Sequence, residues 1–244
     1  MADILYSIML GSIAGLIPVY LGFLPLPLFR RLSPSKRNLL ISLSTGILLF
    51  LFADVTGEAM ELAGKAGPGS FLFAFGLILG LVGPFAIAST GRRTAHSSSV
   101  DARFSTAYII SVGIGLHNLG EGLAIGAAYA AGQLAVTNIL VVGFALHNGT
   151  EGLGISGPIS DVPFHIREPL VMGFLAGFPT IVGTVIGSIA YSDLLGALFF
   201  SVAGGALLFV VVELLRKASP SKGTFLGLAT GILLMYFTDL LLSI

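Results

Sequence analysis

The 244-residue sequence has no cysteine, and only 10% of its residues are Asp, Glu, Lys or Arg. A soluble domain carries about 25% charged residues. Such a chain has too little charge to clothe a water-facing surface, which argues against a soluble enzyme. The missing cysteines exclude disulfides and thiolate metal sites. Lys and Arg balance Asp and Glu, 12 against 12, with no long basic run, so nucleic acid is not expected as a partner. The start, Met1-Ala2-Asp3-Ile4, lacks the positive segment of a signal peptide, so the first apolar stretch is expected to be a retained helix. What the chain does have is apolar residues, 55% of the total, and 33 glycines. The mean hydropathy is +0.98. Glycine stands near twice its soluble average of about 7%, and small residues let membrane helices approach closely. The composition is that of an all-α integral membrane protein with several spans.

A crossing helix needs about 20 apolar residues. Eight such segments are present, at 4–29, 38–63, 70–90, 104–131, 134–160, 169–190, 194–217 and 224–242. They are continuously apolar rather than alternating, which favours helices over a barrel. The expectation is an eight-helix transmembrane bundle occupying 1–244 as a single domain. Basic residues mark one side. Arg30, Arg31, Lys36 and Arg37 follow the first span, Arg92, Arg93 and Arg103 the third, Arg167 the fifth, and Arg216, Lys217 and Lys222 the seventh. Of 12 basic residues only Lys65 falls on the other side. The positive-inside rule then makes those four connections cytoplasmic and both termini extracellular. The longest connection expected is the Ser-rich stretch 91–103, which contains His96.

Two segments repeat each other. His117-Asn118-Leu119-Gly120-Glu121-Gly122-Leu123-Ala124-Ile125-Gly126 lies in the fourth span, and His147-Asn148-Gly149-Thr150-Glu151-Gly152-Leu153-Gly154-Ile155-Ser156 in the fifth. Six of ten positions agree, at an offset of 30 residues. Histidine and glutamate four apart share one helix face. Each histidine stands 13 residues into its span, about 20 Å deep at about 1.5 Å per residue. Antiparallel neighbours would bring two imidazoles and two carboxylates together at mid-bilayer. Asn118 and Asn148 point about 100° from their histidines and could add amide oxygens at the edge of the same cleft.

An acid at the centre of a span costs about 2.5–3.5 kcal/mol on insertion scales, so Glu121 and Glu151 together cost about 5–7 kcal/mol. The structural alternative is a pair of inter-helix hydrogen bonds. Those average below about 1 kcal/mol in membranes, too little to offset the burial. Imidazole with carboxylate suits Zn²⁺, Fe²⁺ and Mn²⁺, and the absence of thiolates argues against Cu(I). The chemistry points to a divalent metal ion.

The duplicated His-Asn-x-x-Glu-Gly motif, with eight spans and both termini outside, resembles the ZIP family of zinc- and iron-regulated-transporter-like proteins, most closely its bacterial GufA-type branch. The resemblance covers the whole chain. It implies divalent metal transport toward the cytoplasm, with His117, Asn118, Glu121, His147, Asn148 and Glu151 as metal ligands. It also implies a homodimer in the cell membrane, with Zn²⁺ as transported ion rather than resident cofactor. Many members have a Glu-Pro pair in helix six that completes a second metal position. This sequence has Pro179-Thr180 in that region, with Thr180 where the acid would be. The His and Pro-Glu often found in helix two become Asp54 and Gly57-Glu58.

Asp54 and Glu58 share one face of the second span and are read either as a cation entry or gate, or as two water-exposed acids at a frayed end. Glu61 is placed among the latter. Glu213 is expected to pair with Arg216, and Asp239 to snorkel to the interface. Pro18, Pro84 and Pro179 fall within spans and can kink them, and Pro179 is placed to shape the site from helix six. Two competing functions are an intramembrane metalloenzyme and a proton-coupled organic-cation transporter. A zinc protease would show His-Glu-x-x-His, which this chain lacks. The reading is a divalent-metal transporter, not an enzyme, with no organic cofactor. Its expected partners are the metal ion, membrane lipid and a second copy of the chain.

Overall fold

The computed structural model describes residues 3–29, 31–65, 69–94, 99–160, 162–190, 192–217 and 220–240. The rest of the chain, and the side chain of His147, lie outside that description. Among the described residues the chain forms eight helical rods and no strand. They are α1 (Ile4–Phe29), α2 (Pro34–Lys65), α3 (Gly69–Thr94), α4 (Ser99–Ala130), α5 (Leu134–Ser156), α6 (Arg167–Ile189), α7 (Asp193–Lys217) and α8 (Lys222–Leu240). A lipid core offers no water to the backbone, so continuously apolar segments close their hydrogen bonds internally as helices. Among the described residues α1, α2, α4, α6 and α7 are long and apolar enough to cross a membrane, and α3 and α8 carry shorter apolar stretches. The protein is an all-α membrane bundle, as its composition implies.

Helix ends depart from the spans in an informative way. The expected 91–103 connector is largely helical. α3 runs on to Thr94 and α4 begins at Ser99, so only 95–98 separate them, and these, with His96, lie outside the described residues. Charged residues mark where lipid ends, not where a helix must end, and no proline or glycine after Gly91 breaks this stretch. α2 likewise starts at Pro34 rather than 38, with proline in the first turn where its missing N–H costs nothing. α5 stops at Ser156 and tightens into a 3₁₀ turn, Gly157–Ile159, so its α-helix falls short of the 134–160 span.

The turn between α4 and α5 fixes the geometry of the motif pair. Gly132 has φ +73°, which glycine adopts without penalty. The Gln133 N–H donates to Ala128 O at 3.0 Å, and the Gly132 N–H to Tyr129 O at 3.0 Å. This Schellman closure ends α4 sharply and returns the chain as α5. His117 precedes Ala130 by 13 residues and His147 follows Leu134 by 13, so both lie at matching depth.

Helix pairing follows a two-fold pattern. α4 makes its most extensive contact with α6, and α5 with α1; α2 packs on α8, and α3 on α7. Exchanging 1 with 6, 2 with 7, 3 with 8 and 4 with 5 maps these pairs onto one another. α4 is the most interior of the five long apolar helices, with 72% of its most apolar stretch buried against 39% for α1. Its contact with α6 is made backbone to backbone. A Cβ on Gly122 would strike the Thr180 carbonyl, and one on Gly183 would strike the Leu119 carbonyl. The glycine excess is thus spent on helix contact. Large apolar side chains such as Phe71, Phe75 and Ile78 on α3 face outward, as lipid-facing positions do.

Candidate metal-transport site

The site lies where α4 and α5 face each other, with α1, α6 and α7 around them. His117, Asn118, Glu121, Asn148, Glu151 and Thr180 are all buried, at 3% exposure or less. His117 Nε2 lies 3.2 Å from Glu121 Oε1 on its own helix and 3.7 Å from Glu151 Oε1 on α5. One imidazole therefore faces a carboxylate from each repeat. Two ligands on a tetrahedral zinc, each bonded at about 2.0–2.1 Å, stand about 3.3 Å apart, so both separations are close to a ligand–ligand edge. No group of three His, Cys, Asp and Glu among the described residues is arranged to hold a metal by itself. The pair of edges at His117 needs further donors.

The asparagines are not loose at the cleft edge. Asn148 Nδ2 donates to Glu121 Oε2 at 2.8 Å and to the Ala14 carbonyl of α1 at 3.0 Å. Asn118 Nδ2 donates to the Ala176 carbonyl of α6 at 3.1 Å, and its side chain stands beside Glu151. Each asparagine thus links the carboxylate of the opposite repeat to a backbone carbonyl on a neighbouring helix. With both nitrogens engaged, Asn118 Oδ1 and Asn148 Oδ1 are buried and have no hydrogen-bond partner among the described residues. Buried polar atoms are ordinarily satisfied, so two unsatisfied amide oxygens beside two carboxylates are suited to a cation.

The remaining sequence-selected residues divide. Asp54 on α2 is half-buried and interacts electrostatically with both His117 and Glu151. Glu58, one turn on, is exposed, as is Glu61; both lie within a helix that continues to Lys65, not at a frayed end. The Thr180 hydroxyl presses on Gly15 of α1, where a Cβ would collide with it. It therefore lies against the residue that follows Ala14 in α1. The His147 backbone is in α5, but its side chain lies outside the described residues, as does that of Asp239. Glu213 and Arg216 pair as expected, at 3.4 Å.

Three features were not read from the sequence. Phe200 of α7 packs on the His117 ring with centroids 6.0 Å apart. The other two are the Ala14 and Ala176 carbonyls. Their signal is an Ala-Gly pair ahead of a proline in both α1 (Ala14-Gly15, Pro18) and α6 (Ala176-Gly177, Pro179).

Residues 87–239 match the protein family described as ZIP Zinc transporter. The chain is also 30% identical, over 253 aligned positions, to a protein of Bordetella bronchiseptica named Zinc transporter ZIPB. That alignment covers 94% of this chain and 79% of the relative.

Proposed function

Because the chain belongs to the ZIP family of metal-ion transporters, we propose that it carries Zn²⁺ toward the cytoplasm through the α4–α5 site. The first ligands in this reading are His117, Glu121 and Glu151, joined by His147 and by the amide oxygens of Asn118 and Asn148. Fe²⁺, Mn²⁺, Co²⁺ and Cd²⁺ suit the same donors. Asp54 extends negative potential from the site into α2, and Glu58 continues it to the exposed surface, so the two form the approach for a cation. Thr180 leaves α6 without an acid at the site. In the same reading both termini are extracellular, the basic connections face the cytoplasm, and the protein is a homodimer.

The observation that supports this most directly is the double approach of His117 Nε2 to Glu121 and Glu151, 3.2 and 3.7 Å away in a water-excluded interior. Ligand fields of neutral amides, imidazole and carboxylates bind without trapping the ion, as conduction requires. A closed thiolate site would hold zinc structurally. The test is metal flux into sealed vesicles containing the purified protein, with Zn²⁺ and a panel of divalent ions. We expect saturable Zn²⁺ entry that His117→Ala and Glu151→Gln abolish while the protein stays folded. Undiminished entry in both variants would remove the site, and entry of none of the metals would remove the cargo.

A further inference from the structure

We propose that Pro18 is a positioning residue for the transport site, acting on the cation through the Ala14 carbonyl and the Asn148 side chain. The inference rests on the α4–α5 reading above. In a regular helix the amide of residue 18 would donate to the carbonyl of residue 14. Pro18 has no amide to give. The helix around it is wound as a π-turn over Ser12–Leu16, with the Ile17 N–H donating to Ser12 O. π-turns and prolines are places where the backbone ladder opens. The carbonyl left open is buried, and the Asn148 side chain takes it at 3.0 Å.

That bond fixes which end of the amide faces the cation. Asn148 Nδ2 has two protons, and both have acceptors: the Ala14 carbonyl and Glu121 Oε2. Rotating the amide by half a turn would set its oxygen against two other oxygens. The nitrogen therefore stays toward α1 and Glu121, and Oδ1 is left as the atom available to a metal. The contact is possible because α1 and α5 meet without side chains between them, where a Cβ on Gly22 would come within 2.7 Å of Gly152 Cα. Across the two-fold pattern an asparagine again holds a flanking carbonyl, although the one that Pro179 leaves without an amide donor is that of Leu175, one residue earlier. Asn118 Nδ2 holds the Ala176 carbonyl, three residues before Pro179 in α6.

An amide restored at position 18 competes for the Ala14 carbonyl and frees Asn148 to turn. The test is a double-substitution cycle in vesicle uptake of Zn²⁺, with Pro18→Ala measured in the wild-type, Asn148→Ala and Asn148→Asp backgrounds. In the wild-type background we expect KM to rise about three- to tenfold, the worth of one hydrogen bond, with kcat little changed. An aspartate has no nitrogen to orient, and an alanine has neither end. In both backgrounds Pro18→Ala should therefore leave KM unchanged. An equal effect of Pro18→Ala in all three would assign Pro18 to bending α1 and overturn the inference, while leaving the site intact. Insensitivity of KM to Asn148→Ala and Asn148→Asp would instead remove Asn148 from the site and overturn both. If Pro18→Ala fails to reach the membrane, the wild-type protein reports the same contact. The chain has four asparagines, at 38, 118, 138 and 148, and ¹⁵N-asparagine labelling resolves their side-chain amides. Both Asn148 amide protons should resist exchange with deuterated water. Exchange as fast as that of exposed Asn38 would overturn the inference.

Discussion

Replacing Glu121 with Gln separates a carboxylate kept for cargo from one kept for packing, because the two roles predict opposite changes in stability. Glu121 is 2% exposed, accepts from Asn148 at 2.8 Å and faces His117 at 3.2 Å. A neutral group of the same shape relieves the insertion cost of the acid, about 2.5–3.5 kcal/mol. It keeps an acceptor for Asn148 but loses the extra strength of a bond to a charged group, about 1 kcal/mol. The protein should therefore become more stable by about 2 kcal/mol. At about 2–4 °C per kcal/mol for a chain of this length, the unfolding midpoint in metal-free detergent should rise by about 4–8 °C. Zn²⁺ flux into vesicles should be lost in the same preparation. If the carboxylate instead serves as half of a structural ion pair, its removal strands a buried partner charge and costs about 3–5 kcal/mol. A fall in the midpoint with flux preserved would refute the reasoning, since the acid would then be holding helices rather than ions.

Gly122→Ala drives a methyl group into the Thr180 carbonyl; overpacking of this kind costs about 1–3 kcal/mol, and a lowered unfolding midpoint with reduced flux is expected, while an unchanged midpoint would show that α4 and α6 need not touch. Asp54→Asn should raise the KM for Zn²⁺ more than it lowers kcat, because Asp54 acts on the site by charge from α2, and an unchanged KM would leave Asp54 outside the path. Metal ligation requires neutral imidazole and ionised carboxylate, so uptake should decline as pH falls and protons compete with the metal for the site. A flat profile between about pH 8 and about pH 5 would separate transport from histidine ligation.

The bundle was legible because lipid imposes few solutions. A run of apolar residues long enough to cross has to be helical, and eight such runs are plain in the sequence. The short turn between α4 and α5 follows from how closely the fourth and fifth apolar spans adjoin, one ending at 131 and the next starting at 134. The ends of α3 and α4 were not legible, since the residues around 91–103 are polar enough to leave the membrane but carry no further helix-breaking residue. Polarity reports the solvent of a segment, and only proline, glycine and capping residues report where a helix stops. Partner choice was legible only in part. The motif repeat implies that α4 and α5 are neighbours, and they are. Their larger contacts, with α6 and α1, come from glycines whose register is visible only once backbones are placed together.

The site divides along the same physical line. His117, Glu121 and Glu151 stand out in the sequence as candidates because an ionisable group in lipid is costly wherever it points, and the structure brings the three together. The carbonyls of Ala14 and Ala176 carry no such mark, since every residue has one. What distinguishes the Ala14 carbonyl is the loss of its donor at Pro18, and that loss matters only if another helix supplies a replacement; in α6 the carbonyl that Pro179 leaves without a donor is that of Leu175, one residue before Ala176. A proline within a membrane helix is therefore half of a statement, and a buried asparagine is the other half. In this chain the two halves lie 130 residues apart for Pro18 and Asn148, and the contact between α1 and α5 joins them. In the proposed site the asparagines of the repeated motif therefore do two things at once: their nitrogens bind the helices that flank it, and their oxygens are the atoms offered to the ion. Substitutions that remove only the nitrogen, such as Asn148→Asp, should therefore loosen α1 from α5 while still offering oxygen to the metal. Loss of the whole side chain should cost both.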